Sequence, residues 1–332
     1  MGQLCSRTGG LPTSRDVEEE GTRDDMDRLK DRVAIVTGAG RGIGAGIAKL
    51  MAAEGAAVVV NDLGGSVDGE GADASPAAET VREIEAAGGR AVANFDDVAD
   101  YDASEQIIRA ALNEYGQLDI LVNVAGILRD RMIFNMTEAE WDAVIAVHLK
   151  GTFNTSKYAS IHWRQERKGH YRLINFTSIS GLSGSPGQPN YAAAKLGIVG
   201  LTYSCANALG RYGVTSNCIS PGAATRMGDT IPPDRRRALS GAEAQAAEER
   251  QREMAPENVA PPVVYLASEK ADWINGQVIG ASGYQVSLFN QPEAIRQIQG
   301  KEPWTVDDMF QRIPGVFRPA IDGANFYQRR EE

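Results

Sequence analysis

Cysteine is scarce in this 332-residue chain: Cys5, Cys205 and Cys218 are all it has. Three scattered cysteines build no disulfide framework, so an apolar core has to hold the fold. Histidine is as rare. His148, His162 and His170 share no metal-ligand spacing, and no metal site is expected. No apolar run approaches the roughly 18 residues that a bilayer-crossing helix needs. Basic charge is also short: 34 Lys and Arg stand against 44 Asp and Glu, a net charge of −10. That balance argues against nucleic acid or an anionic membrane surface as partner. What remains is ordinary for a globular chain, 42% hydrophobic and 23% charged, with length for one large α/β domain and appendages.

Glycine, by contrast, is concentrated where it carries meaning. An apolar run from Val33 to Thr37 leads into Gly38, Gly40, Gly42 and Gly44, and an Ala/Ile/Leu/Met pattern of helical period follows to about Glu54. Glycines there allow positive φ and let the backbone approach a pyrophosphate. The helix start offers free N–H groups and a partial positive charge to phosphates. The next apolar run, 57–61, ends at Asp62, 18 residues after Gly44. An acid at that point accepts hydrogen bonds from both ribose hydroxyls of an NAD adenosine and repels a 2′-phosphate.

A second constellation lies downstream. Ser178 precedes Tyr191 by 13 residues, and Lys195 follows Tyr191 by four. Tyr and Lys at that spacing share one helix face. A phenol with an ordinary pKa of about 10 needs a neighbouring cation to act as a base near neutral pH. Lys195 is expected to supply it and lower the phenol. Ser178 is expected to hold the substrate oxygen. Ser180, 11 residues before Tyr191, is the rival hydroxyl.

These motifs resemble the short-chain dehydrogenase/reductase family over about residues 30–285. The resemblance rests on TGAGRGIG (37–44), Asp97-Val98, Asn123-Val124-Ala125-Gly126, Ser178, YAAAK (191–195) and Pro221-Gly222. Within the family the chain is most similar to the (3R)-hydroxyacyl-CoA dehydrogenase branch found in peroxisomal multifunctional enzymes. Shared segments are NDLGG (61–65), AGILRDRMI (125–133), VHLKGTF (147–153), GQPNYAAAKLGIVGL (187–201) and TRM (225–227), with a tail from about Ala281 to Ile313. The resemblance implies Tyr191 as general base, Lys195 on the nicotinamide ribose, and a Rossmann-type doubly wound parallel sheet of seven strands, order 3-2-1-4-5-6-7. It implies that Gly38, Arg41, Gly42, Ile43 and Gly44 hold the pyrophosphate, Asp62 the ribose, and Asp97 and Val98 the adenine. Asn123, Ala125 and Gly126 would line the adenosine and nicotinamide-ribose side, and Pro221, Gly222 and Thr225 the carboxamide. His148 stands where the family usually has asparagine, acting through its backbone carbonyl or its imidazole. Val124 replaces a second frequent asparagine.

Strands are expected near 33–37, 57–61, 91–95, 118–123, 171–177, 214–219 and 277–280. Helices are expected near 42–54, 76–87, 102–115, 138–165, 190–211 and 258–267, with Asp102, Thr137 and Asn190 as N-caps. Their alternation implies a parallel sheet covered on both faces. Residues 62–75 read as a flexible Gly/Asp/Ser-rich insertion. Residues 1–28 read as a disordered tail. The opening MGQLCS matches an acylation pattern that chance also produces, and Met26 is an alternative start. The dehydrogenase domain is expected over 29–285, with a substrate lid at 225–256 and a C-terminal extension over 286–332.

The expected function is hydride transfer between NAD, rather than NADP, and a secondary alcohol or ketone, with a 3-hydroxyacyl-CoA thioester as the expected substrate. Leu182, Gln188 and Met227 are substrate candidates beside Ser178. Arg129, Asp130 and Arg131 either meet a CoA phosphate or form a solvated charge run. The alternatives are a dehydrogenase of free secondary alcohols such as a 17β-hydroxysteroid, and a non-catalytic NAD-binding protein. A cytoplasmic homodimer or homotetramer is expected, because the 190–211 helix is apolar on several faces.

Overall fold

The computed structural model describes residues 27–167, 169–223 and 241–324. Strand β1 (Val33–Thr37) is buried along its whole length, as a parallel strand covered on both faces must be. Ala34 and Val36 face one apolar cluster, and Val33 and Ile35 face the other. The first cluster lies under α1 (Gly42–Ala53), α2 (Ser75–Ala86) and α9 (Ala260–Ala267). The second lies under α3 (Tyr101–Tyr115) and α5 (Gly151–Glu166). The remaining strands are β2 (Ala57–Asn61), β3 (Arg90–Asn94), β4 (Ile120–Asn123), β5 (Tyr171–Phe176), β6 (Val214–Gly222), β7 (Val278–Ser282) and β8 (Gln285–Leu288). The sheet order is β3-β2-β1-β4-β5-β6-β7-β8. The first seven run parallel in the expected order.

An eighth strand was not expected. β8 returns antiparallel on β7, with Ser282 opposite Gln285. The two-residue link Gly283-Tyr284 makes the turn, and Gly283 takes φ +55 there. β8 carries the sheet three residues past the expected boundary at 285. Two compact units result, one ending at Phe289 and one starting at Asn290. In the second, α10 (Val306–Ala324) exposes Val306, Phe310 and Ile321.

Three helix starts and one helix body refine the expectations. Asp100, not Asp102, caps α3 by accepting from Ala103 N at 2.8 Å. Thr137 and Glu140 form a full capping box on α4 (Glu138–Ile145). α7 (Pro189–Leu209) begins one residue before Asn190. The single helix expected over 138–165 is interrupted by a π turn, Ala146–Lys150, between α4 and α5.

The 62–75 insertion is folded rather than free. Asp73 N donates to Leu63 O at 3.0 Å, Ser66 N to Glu70 O at 2.9 Å, and Leu128 N to Val67 O at 2.9 Å. The loop is thereby docked on the segment after β4. Thr225, Met227 and the first part of the expected lid lie outside the described residues, as does nearly all of the expected tail. Of the lid, α8 (Gly241–Glu253) is described.

Candidate active site

Parallel strands deliver their C-terminal ends to one edge, where α/β proteins bind ligands. The glycine segment leaves β1 there. Gly38 has φ +66, and a Cβ on it would stand 2.7 Å from Ala125 Cα. A Cβ on Gly44 would run into the Gly38 carbonyl, so α1 can approach the loop this closely only through glycine. Gly42, at φ +55, faces open space. Arg41, the N-cap of α1, supplies no side-chain cap, so the first N–H groups of that helix point at a position suited to an anion. At the end of β2, Asp62 takes Gly40 N on Oδ2 and Gly64 N on Oδ1, both at 2.7 Å. These contacts fix the carboxylate and leave lone pairs for further donors. Thr37, Val98, Asn123, Ala125 and Thr152 line one small pocket at the same edge. An uncapped helix start, close-approach glycines and a fixed carboxylate together fit a dinucleotide.

Not every expected contact residue offers its side chain. The Asn123 amide is spent inside the protein: it donates to Asn175 Oδ1 at 3.0 Å and accepts from Thr155 Oγ1 at 2.8 Å. Asp97 caps Ala99 N at 2.8 Å. Gly222 lies in β6 against Ser282, where a Cβ would clash. Val124 packs against the first core cluster. Sequence reading missed Thr37, whose hydroxyl accepts from Val124 N at 3.1 Å and Ala125 N at 3.3 Å. It thereby shapes the loop after β4. Its place at the head of the TGAGRGIG motif was the available signal.

The second constellation comes together at the same edge. Ser178 opens the short helix α6 (Ile179–Ser183) and accepts from Ser180 N at 3.2 Å. Its hydroxyl is the group that favours the phenolate of Tyr191. Lys195 lies one turn further along α7, fully desolvated, with Nζ donating to Phe176 O at 2.8 Å. Its Nζ is 5.5 Å from the Tyr191 ring centroid. Burial pulls the ammonium down to about 8. The expected lowering of the phenol by Lys195 is not what this geometry gives. Burial pushes Tyr191 up from its ordinary range, the Ser178 hydrogen bond pulls it down, and Asp130 raises it further. Desolvation is the largest influence on the phenol, and the Lys195 ammonium is aimed at the Phe176 carbonyl instead.

His148 sits in the π turn, buried, with its ring edge against Tyr191 at 5.0 Å between centroids and 89° between planes. Nε2 lies 3.0 Å from Ile127 N and 2.8 Å from Ile127 O. Burial first, then Lys195, hold the imidazole well below 6.5, so the ring is neutral. Gly126 is required beside it: a Cβ there would overlap the imidazole.

The substrate candidates divide. Leu182 packs in a small cluster with Ile198 and Val199. Gln188 is hydrogen-bonded on both sides, from Ser180 Oγ at 2.9 Å and to Asp130 Oδ2 at 2.9 Å. Arg129 pairs with Glu70 at 2.9 Å and Arg131 with Glu140 at 2.9 Å. The charge run therefore serves the loop's own structure. No group of three or more His, Cys, Asp or Glu suited to a metal occurs among the described residues, and none of their helices is long and apolar enough to cross a membrane.

The chain is similar to known proteins. Residues 32–236 match the short chain dehydrogenase family. A hydroxyacyl-CoA dehydrogenase of Mycobacterium tuberculosis is 42% identical over 279 residues, covering 81% of this chain and 83% of that protein. The peroxisomal multifunctional enzyme type 2 of Mus musculus is 39% identical over 245 residues, covering 74% of this chain but 31% of that longer protein. A crystal structure of a short chain dehydrogenase from Mycobacterium avium superposes with a TM-score of 0.74 at 42% identity, covering 87% of this chain and 95% of that one. The chain belongs to the short-chain dehydrogenase family, whose dehydrogenases are NAD(P)-dependent oxidoreductases acting on CH–OH groups.

Proposed function

We propose that this protein is an NAD-dependent dehydrogenase of (3R)-3-hydroxyacyl-CoA thioesters. The observation that carries the reading is the pairing of Tyr191 with the buried Lys195 one turn along α7, Nζ 5.5 Å from the phenol ring centroid, at the edge where the glycine loop ends. In the oxidation direction Tyr191 takes the alcohol proton at its phenolic oxygen. Ser178 donates to the same substrate oxygen and stabilises the charge that develops on it. Ser180 is the weaker candidate, because its proton is already given to Gln188. Lys195, charged in most molecules at pH 7, lies one helical turn from Tyr191 and would hold the nicotinamide ribose. A bound nicotinamide supplies the hydride acceptor.

NAD is favoured over NADP by Asp62, since a 2′-phosphate would meet a fixed carboxylate. Arg41 does not offset this freely, because Asp73 faces it at 3.9 Å. The thioester rests on the names of relatives that share most of this domain. One observation favours a free secondary alcohol such as a 17β-hydroxysteroid instead: Arg129 and Arg131 are committed to internal ion pairs. We read the protein as a homodimer or homotetramer, supported by the exposed apolar side chains Phe153, Ile161 and Leu196 on α5 and α7. The free thiols of Cys205 and Cys218 fit a reducing compartment such as the cytoplasm.

Tyr191→Phe tests the assignment of the base. Turnover is expected to fall by about 10²–10⁴ with NAD affinity retained in calorimetric titration. Retained turnover would remove Tyr191 from the reaction.

A further inference from the structure

Asp130, Gln188 and Ser180 form a side-chain chain that ends two residues from Ser178. Gln188 Nε2 donates to Asp130 Oδ2 at 2.9 Å, Ser180 Oγ donates to Gln188 Oε1 at 2.9 Å, and Ser180 N donates to Ser178 Oγ at 3.2 Å. Ser178 in turn meets the Tyr191 phenol. The directions of the two side-chain bonds are set from one end, while the Ser180 N–H donates to Ser178 whatever lies beyond it. An ionised carboxylate only accepts, so it holds the amide of Gln188 with nitrogen outward and oxygen inward. That oxygen then claims the proton of Ser180. Ser178, which receives an N–H from Ser180, keeps its own proton for Tyr191 or for the substrate oxygen.

We infer that Asp130 is a positioning residue, which through Gln188 holds the Ser180 proton away from the substrate oxygen and so leaves Ser178 as the hydroxyl that acts there. This rests on Tyr191 being the base. The anchor is itself held in place. Its loop is tied down by Arg131 N donating to Gly187 O at 2.8 Å, and by Asn190 Nδ2 donating to Arg129 O and Glu140 O, both at 3.0 Å. With a neutral amide at position 130, Gln188 is free to flip. Its nitrogen would then donate to Ser180, releasing the Ser180 proton to compete for the substrate oxygen.

Several groups surround the phenol. Lys195 lies on its own helix, Ser178 at the head of α6, neutral His148 in the π turn and Asp130 in the loop after β4. The neighbouring Arg129, Arg131 and Glu140 are paired among themselves and with Glu70. Of these, Asp130 is the anion that raises the phenol. Loss of its charge and loss of the chain therefore have different signatures.

The test compares Asp130→Asn and Gln188→Leu with the parent, as holoenzymes with NAD and (3R)-hydroxydecanoyl-CoA, across pH 6–10. Phenolate absorbance of the cofactor-free proteins, taken against Tyr191→Phe, reports the phenol directly and does not depend on the substrate chosen. Both variants are expected to lose roughly three- to tenfold in kcat, the worth of a modest hydrogen-bond rearrangement, with KM little changed. Only Asp130→Asn should move the alkaline rise of kcat/KM and of phenolate absorbance to lower pH. Parental kcat in either Gln188→Leu or Asp130→Asn would overturn the inference. A Tyr191→Phe protein that still turns over would instead overturn the assignment of the base. Gln188→Glu, nearly isosteric, serves if the leucine variant misfolds: its second carboxylate cannot donate to Asp130 above neutral pH, and parental kcat in it would equally overturn the inference.

Discussion

Lys195 is held in a place that costs the fold. Its ammonium is buried, has one carbonyl partner, and is drawn down to about 8. The sign follows from which state binds the proton. As pH falls from the ordinary lysine value of 10.5 towards 8, the unfolded chain gains a proton that the folded one does not. Stability from this group therefore declines across that window and is level below it. Lys195→Met should abolish turnover yet stabilise the cofactor-free protein by about 2 kcal/mol at pH 7, after the cost of leaving the Phe176 carbonyl unpaired. Urea unfolding measures this, and a destabilised variant would contradict it. His148 gives a second residue-scale expectation. Its ring resonances should titrate, if at all, well below the ordinary 6.5 in NMR, because burial keeps it neutral; a midpoint near 6.5 would be inconsistent with the packing seen. At this scale the sequence named Ser178, Tyr191 and Lys195 by their spacing together with the glycine loop and the family resemblance, and the fold brings them together. The environment of Tyr191 was not legible, because desolvation depends on neighbours far away in sequence. The same holds for Arg129 and Arg131, whose partners Glu70 and Glu140 sit on other elements.

The π turn Ala146–Lys150 is the element that places His148 beside Tyr191. π turns add a residue to a helix and recur at functional sites. Gly126 leaves room for the ring, so Gly126→Ala should push His148 aside. The expected cost is about 1–3 kcal/mol of stability and a fall in kcat, read by thermal unfolding and steady-state kinetics; an unperturbed variant would show that the contact is slack. The helices around this turn were legible because their apolar positions recur at helical spacing. The turn itself was not, since one added residue shifts the pattern by less than the width of an apolar stripe. β8 escaped for another reason. Its residues are mostly exposed, with Val286 and Leu288 on an edge strand, so no buried alternation marked it. The 62–75 insertion reads as a loop from its Gly and Asp content. Only its backbone bonds to Leu63 and Leu128 show it to be ordered.

The molecule as a whole carries −10 charge, yet its proposed substrate is an anion. Arg129 and Arg131, the basic pair nearest the site in the loop after β4, are neutralised by Glu70 and Glu140. Binding of a CoA thioester therefore has to draw on its acyl chain or on opening one of those pairs. Phe153, Ile161 and Leu196 give α5 and α7 an apolar exterior, and light scattering at micromolar concentration should give the mass of a dimer or tetramer; a monomer mass would contradict that reading. The substrate is the wider question. The direct measurement is kcat/KM with NAD for a (3R)-3-hydroxyacyl-CoA beside that for a free 17β-hydroxysteroid, on the same preparation. The thioester is expected to be the better substrate; a hundredfold preference for the free sterol would contradict the account.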